Sequence, residues 1–284
     1  MPKVWRIVDL IQWSDSYFRE KSHQNPRLEI EWMLCSLLNC ERLDLYMRFD
    51  EPLSGSQLST LRGWVKRRSK NEPLQYITES CEFYGIEFFV DKRVLIPRPE
   101  TERLIDEAIK SIKHVRSPNI FDIGTGSGCI AIALAKEIEN SNVIGIDKSI
   151  MSLQVAKKNS AELNIGNVTF LEMDILNQYP ETKFDLVISN PPYVPKKEIP
   201  GLMKDVKDFE PEIALTDFDD GLTFYKRISK IIPNILKDDS SCILELGLGN
   251  HPEKVLSIFK ESGYSNMEIF DDYNGDKRVL SIKT

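Results

Sequence analysis

The sequence predicts an α/β protein with a small all-helical domain over residues 1–73, a β-hairpin linker over 74–97 and a Rossmann-like, doubly wound domain over 98–284. Three observations predict it. Apolar residues recur at helical spacing from Val4 to Trp64, as in Ile30, Met33, Leu34, Leu37 and Leu38. Between Leu74 and Leu95 the pattern becomes strand-like. From Phe121 onward, short apolar runs closing on glycine, aspartate or asparagine alternate with helical stretches, the signature of βαβ units.

Taken in order, breaks near Asn25-Pro26 and from Glu51 to Gly55 divide the first region into four or five helices. Cys81-Glu82-Phe83-Tyr84 and Glu87-Phe88-Phe89-Val90 flank Gly85 and read as a hairpin. A helix from Pro99 to His114 precedes the first sheet strand, Phe121-Asp122-Ile123, which enters the glycine-rich turn Gly124-Thr125-Gly126-Ser127-Gly128-Cys129 and then a helix from Ile130 to Ile138. Val143–Ile146 is a second strand ending in Asp147, and Val168–Met173 a third ending in Asp174. Phe184–Ser189 is long and apolar enough for a buried strand and closes on Asn190-Pro191-Pro192-Tyr193. Further strands are expected near Cys242–Leu246, Met267–Phe270 and Arg278–Ile282.

The glycine turn discriminates between nucleotides. A dinucleotide fingerprint places glycines at the first, third and sixth positions, whereas here they fall at 124, 126 and 128 and Cys129 holds the sixth. A phosphate-binding P-loop needs a lysine directly after its last glycine, and none appears before Lys136. A phosphate-free nucleoside carrying an amino acid, S-adenosylmethionine, fits better. Asp147, about 20 residues past the loop, is placed to accept the ribose hydroxyls. Asp174 can meet the adenine edge with Ile175 packing on the ring. A strand-end aspartate standing alone is more often a cap or a solvated turn; three strand ends in register make the cofactor reading the better one.

Asn190-Pro191-Pro192-Tyr193 sits where open α/β sheets bind ligands. Asn190 offers a side-chain carbonyl, the prolines stiffen the turn and lack N–H groups, and Tyr193 adds a flat ring, so the pocket presents acceptors to an NH2 group.

Composition narrows the class. The chain has 284 residues, 41% of them hydrophobic, with no window approaching the ~18 apolar residues of a membrane span. The stretch Met1–Arg6 lacks the apolar core of a signal peptide, which predicts a cytosolic protein. Cysteines 35, 40, 81, 129 and 242 form no CxxC pair, and with only His23, His114 and His251 no metal is expected. A net charge of −7 argues against a broad nucleic-acid footprint. Residues 1–73 nevertheless carry 12 Lys/Arg against 10 Asp/Glu, with Arg62, Lys66, Arg67, Arg68 and Lys70 as the one basic cluster, either a solvated helix face or a docking surface.

Asn190-Pro191-Pro192-Tyr193 joined to Gly124–Gly128, with Ile96-Pro97-Arg98-Pro99-Glu100-Thr101-Glu102 before them, resembles the peptide-chain-release-factor glutamine N5-methyltransferases, the HemK/PrmC family. Pro73–Ile77, Phe209-Glu210-Pro211 with Ala214-Leu215, Asp220-Gly221-Leu222 with Tyr225, and Asp276–Val279 fall where that family's blocks fall. Two positions depart from it: Ile175 stands where some members carry an aromatic, and Asn250 where glutamine is expected. The resemblance implies a seven-stranded class I methyltransferase sheet and transfer of a methyl group from S-adenosylmethionine to the glutamine of a Gly-Gly-Gln loop in class I release factors. It implies catalytic roles for Asn190, Pro191 and Tyr193, substrate contacts from these and Pro192, and cofactor contacts from Gly124, Thr125, Gly126, Ser127, Gly128, Asp147, Asp174, Ile175 and Asn190. A monomer is expected, without stable nucleic-acid or membrane partners. Because the Asn-Pro-Pro-Tyr motif also occurs in enzymes that methylate adenine or guanine amino groups, a nucleic-acid methyltransferase is the alternative, and a non-catalytic scaffold the third reading.

Overall fold

The computed structural model describes residues 4–21 and 23–284. Met1, Pro2 and Lys3, part of the N-terminal stretch read above as lacking a signal-peptide core, lie outside the described residues, as does Ser22. The chain divides into two compact units, one of residues 1–79 with 204–209, the other of residues 80–203 with 210–284.

The first unit is helical: α1 (Ile7–Glu20), α2 (Pro26–Leu38), α3 (Arg42–Met47), α4 (Gly55–Arg68) and α5 (Leu74–Thr78). Pro26 opens α2 at a position where no N–H is needed, and Ser54 caps α4 by accepting from the Gln57 N–H. Their apolar stripes meet in a core that includes Ile7, Phe18, Ile30, Met33, Leu34 and Leu45, all fully buried. Leu74–Thr78 is helical where the sequence pattern suggests strand. Pro73 starts the turn, and Tyr76 and Ile77 bury one side of it. The basic cluster is partly spent inside the unit. Arg68 holds Glu29 through two hydrogen bonds of 2.9 and 2.8 Å, and Arg67 does the same with Glu72 at 2.9 and 2.6 Å. A docking surface could therefore draw on Arg62, Lys66 and Lys70 rather than on all five.

The second unit begins with the antiparallel hairpin β1 (Ser80–Phe83) and β2 (Ile86–Phe89), turning at Tyr84-Gly85. The main sheet follows: α6 (Glu102–Ile112), β3 (Asn119–Ile123), α7 (Cys129–Glu137), β4 (Asn142–Asp147), α8 (Ile150–Glu162), β5 (Val168–Glu172) and β6 (Phe184–Ser189). After β6 come α9 (Lys204–Phe209, grouped with the helical unit), α10 (Glu212–Leu215), α11 (Thr223–Ile235), β7 (Leu236–Glu245), α12 (His251–Glu261), β8 (Met267–Asp271) and β9 (Lys277–Lys283). Strand order is β5-β4-β3-β6-β7-β9-β8, parallel except that β9 runs antiparallel to both neighbours. Side chains alternate across this sheet with period two. Leu186 and Ile188 join the cluster under α6, α7 and α8, while Val187 joins the one under α11 and α12. Burial on both faces explains why Leu186, Val187 and Ile188 of β6 are apolar in succession rather than alternating with polar residues. The hairpin is clipped to the sheet's helices by Asn159, which donates to the carbonyls of Phe89 and Ser127 and accepts the Phe89 N–H.

Candidate active site

From β3 the chain order runs outward through β4 and β5, and the next strand, β6, is laid on the other side of β3. This reversal is a topological switch point, where loops diverge at the carboxyl ends of the strands and leave a crevice. Ile123 pairs with Ser189 in register, and the Ser189 hydroxyl donates to the Ile123 carbonyl at 2.7 Å. Gly124 and Asn190 therefore leave neighbouring strands side by side, and the two motifs separated by more than sixty residues share one corner. A cleft of about 750 Å³ opens there.

The glycine loop is held to β4 by its backbone. The N–H groups of Gly124 and Thr125 both donate to the Ile146 carbonyl, at 2.9 and 2.8 Å. Gly124, Gly126 and Gly128 have φ of +75°, +55° and +82°, a region that side-chain-bearing residues avoid. The Asp147 carboxylate accepts the Gly126 N–H at 3.0 Å and the Ser149 N–H at 2.8 Å, so it braces the loop while facing the cleft. Burial raises its pKa, and the two backbone donors counter that shift. Asp174 accepts from the Leu176 N–H and from the Asn177 side chain, which makes it a turn cap as well as a cleft residue.

Predicted site residues divide between wall and support. Gly124, Gly126, Asp147, Asp174, Ile175, Asn190, Pro191 and Pro192 line the cleft. Thr125, Ser127, Gly128 and Tyr193 are not among its lining residues. Thr125 and Ser127 are buried. At Gly128 a Cβ would meet Phe170, Ala156 and Ile132 at 3.0–3.1 Å, so this glycine serves close packing beneath the loop. Tyr193 stands behind the wall. Its hydroxyl donates to Glu245 Oε1 at 3.3 Å, and its ring lies 5.8 Å from that of His251.

Behind Asn190 lies a connected polar group of side chains that the motifs alone do not show. The Asn190 amide nitrogen donates to Thr101 Oγ1 at 3.2 Å, and Thr101 donates to Glu245 Oε2 at 2.6 Å. Glu245 is buried, and burial pushes its carboxyl up to about 7 against the opposing pull of Thr101 and Arg278. His251 accepts the Gly247 N–H on Nδ1, which leaves Nε2 to donate to the Gly221 carbonyl, so burial keeps the ring neutral and its pKa low. The chain approaches itself closely here: a Cβ on Gly221 would stand 2.2 Å from the Tyr193 carbonyl oxygen.

Two protein families match separate parts of the chain. Residues 9–78 match the PrmC N-terminal domain, and residues 115–264 match a methyltransferase domain. A release factor glutamine methyltransferase of Geobacter sulfurreducens is 39% identical over 98% of this chain and 97% of its own. The chain belongs to the release factor glutamine methyltransferase family. One of Bacillus anthracis is 36% identical over 97% of this chain and 98% of its own. Among solved structures, the catalytic domain of hMettl16 in complex with a 3′UTR hairpin superimposes with a TM-score of 0.57 at 16% identity, over 81% of this chain and 82% of that one, a likeness of fold.

Residues to which the sequence motifs give no role acquire physical reasons in the fold. Arg93, Val94 and Leu95, beginning four residues past the end of β2, form part of the wall, as do Pro211, Ile213, Ala214 and Phe224. Glu210, buried, accepts from the Arg98 guanidinium at 2.5 Å and the Ile96 N–H at 3.4 Å, which ties the Ile96–Pro99 segment to the chain entering α10. Gly145 is required in β4 because a Cβ there would stand 2.7 Å from Thr125 Oγ1 and 2.9 Å from Phe170. Ile175, at the departure from the family's aromatic, is buried and lines the cleft. Among the described residues no group of three or more His, Cys, Asp or Glu is arranged to hold a metal ion, and no helix is long and apolar enough to cross a membrane.

Proposed function

We propose that this protein transfers the methyl group of S-adenosylmethionine to the side-chain amide nitrogen, N5, of the glutamine in the Gly-Gly-Gln loop of class I peptide chain release factors. One observation carries the reading: Asn190 and the loop residues Gly124 and Gly126 line one cleft at the ends of adjacent strands. The donor set fits the cofactor, since glycine backbone, two carboxylates and the apolar Met173, Ile175 and Phe224 suit an uncharged nucleoside with an amino-acid tail. Gly124, Gly126, Asp147, Asp174 and Ile175 would hold it there. When bound, it supplies a methyl group on a positively charged sulfur.

An amide nitrogen is a weak nucleophile because its lone pair is delocalised into the carbonyl. Orientation and charge stabilisation supply the rate. The Asn190 side-chain oxygen and the Pro191 carbonyl accept the two amide hydrogens, aim the nitrogen and stabilise the positive charge that grows on it. Pro192 stiffens the turn, and Tyr193 supports it from behind. No strong base is needed, because the leaving group is neutral and the extra proton departs after transfer. The division of labour assigns the N-terminal helical unit to holding a second surface of the release factor. Because release factors act on ribosomes, the substrate places the reaction in the cytoplasm.

The test is transfer of labelled methyl from S-adenosylmethionine to a purified release factor, wild type and with its Gly-Gly-Gln glutamine replaced, beside duplex DNA and total RNA. Label on the wild-type factor alone is expected. Label on nucleic acid would replace this reading with base methylation, and label nowhere despite cofactor binding with a scaffold.

A further inference from the structure

We infer that Glu245 is a positioning residue that sets which end of the Asn190 carboxamide faces the acceptor, acting through the single hydroxyl hydrogen of Thr101. The inference rests on the proposed reaction and extends it to a residue outside the motif. Each step is a count of donors. Thr101 has one hydroxyl hydrogen, and at 2.6 Å from Glu245 Oε2 it is spent on the carboxylate. Toward Asn190 the same oxygen can then only accept, so the group it meets at 3.2 Å must be the NH2 end of the carboxamide. The Asn190 oxygen is left pointing away from Thr101, free to accept from an acceptor NH2. With the carboxamide reversed, two acceptors would face each other and an NH2 donor would face the acceptor's NH2, which removes the interaction proposed to orient it.

The placement of Glu245 suits this task. Ser189 pairs with Leu244, so Asn190 and Glu245, the residues that follow them, stand at the carboxyl ends of adjacent strands. Its second oxygen takes the Tyr193 hydroxyl at 3.3 Å, so one buried carboxylate anchors both ends of the Asn-Pro-Pro-Tyr turn. Arg278 is the cation that acts on it; this guanidinium is itself fixed by Asp272 at 3.2 Å and by the Leu246 carbonyl at 3.0 Å. Glu100 opposes with like charge, Thr101 and Tyr193 hydrogen-bond to the carboxylate, and the Tyr225 hydroxyl donates to the Glu245 backbone carbonyl at 2.6 Å. Only the ionised carboxylate enforces the lock. A neutral Glu245 can donate to Thr101, which frees the hydroxyl hydrogen to point at Asn190 and permits the reversed carboxamide. Burial brings this change close to pH 7.

The experiment compares wild type, Glu245→Gln, Thr101→Val and Thr101→Ser by two readouts. The first is steady-state methylation of the release factor. A Gln side chain can meet Thr101 with either end, so Glu245→Gln is expected to lower kcat on the order of tenfold and to flatten its fall on the acid side of about pH 7, with KM for cofactor unchanged. Thr101→Val is expected to lower kcat at least as far, and Thr101→Ser to restore it. The second readout needs no turnover: the side-chain 15N–1H2 resonances of Asn190, followed with pH. They are expected to titrate in wild type and Thr101→Ser and to lose that titration in Glu245→Gln and Thr101→Val. Wild-type kcat in both Glu245→Gln and Thr101→Val, or Asn190 resonances indifferent to Glu245→Gln, overturns the inference. A wild-type protein inert on the release factor overturns the proposed reaction instead, and the resonances still decide the role of Glu245.

Discussion

The two corners of the cleft are built from different materials. On the β4 side, the loop from Gly124 to Gly128 is held through its own backbone groups: two N–H groups on the Ile146 carbonyl, and one on the Asp147 carboxylate. On the β7 side, the turn from Asn190 to Tyr193 is held by side chains, Thr101, Glu245 and Tyr193 in contact, with His251 and Gly247 behind. A backbone cradle recognises what any nucleoside with a short tail presents. A side-chain relay gives one carboxamide one orientation. The first corner is suited to holding a common cofactor, and the second to choosing the acceptor atom.

The comparison breaks most visibly if the acceptor corner is dispensable. Asn190→Ala removes the carboxamide from the wall and is expected to lower kcat by roughly 10²- to 10³-fold. Because the loop corner is untouched, the affinity for S-adenosylmethionine by titration calorimetry should stay close to wild type. A large loss of cofactor affinity in this variant would mean that the two corners are one site and that the division drawn here is wrong.

Gly221→Ala probes the packing behind the same corner. The new Cβ would stand 2.2 Å from the Tyr193 carbonyl oxygen, at a φ of +81°. Backbone cannot yield as a side-chain tip does, so overpacking of roughly 1–3 kcal/mol is expected, with about 1 kcal/mol more for the left-handed conformation. Urea unfolding measures it. Gly85→Ala is the control, because it also has positive φ but nothing within 4 Å of the added carbon. Equal losses in the two would leave only backbone strain and no role for the contact with Tyr193.

Asp147→Ala tests the loop corner. It removes an acceptor placed toward the cofactor and the brace on the Gly126 N–H. A hydrogen bond to a charged group contributes about 1.5–3 kcal/mol, so cofactor Kd should rise roughly 10- to 100-fold, with kcat at saturating cofactor much less affected. A fall in kcat with unchanged Kd would contradict the assignment.

Legibility in the sequence followed the same division. The glycine loop, Asp147 and Asn190-Pro191-Pro192-Tyr193 are local patterns, each readable because its residues are neighbours in the chain and its strand is an apolar run. The sheet strands were legible for that reason too, as was the small helical unit. Leu74–Thr78 was not, because a five-residue helix is too short to display a period. Thr101 lies 89 positions from Asn190 and 144 from Glu245, and nothing local distinguishes a threonine at the start of a helix from a cap. The signal that was available is the block Ile96–Glu102 itself, whose placement in the family pattern marked the segment without saying which atom it serves. Thr125 and Gly128 show the converse: a motif marks them, and the fold uses them for packing beneath the cleft.

The smallest effect concerns a carboxyl that neither corner spends on a partner. Asp122, in β3 just before the loop, is fully buried with neither oxygen in a well-formed hydrogen bond, and burial raises its pKa from 3.8 to about 7 against the weaker opposing pull of Thr125 and the Ala131 backbone. The folded chain therefore keeps a proton that the unfolded chain releases, so the stabilisation is full below about pH 4 and is lost progressively as pH rises to about 7. Glu245, also raised to about 7, contributes with the same sign. Asp122→Asn stays neutral at all pH, so the decline in Tm between about pH 4 and pH 7 should become shallower, by about 2–4 °C for each kcal/mol removed. Adding Glu245→Gln should flatten it further. The two variants separate in function: Asp122→Asn should leave the acid-side fall of kcat in place, while Glu245→Gln should flatten it. If Asp122→Asn alone abolished that fall, the titration governing turnover would belong to the loop corner, and the contrast between a cradle that holds and a relay that orients would have to be reversed.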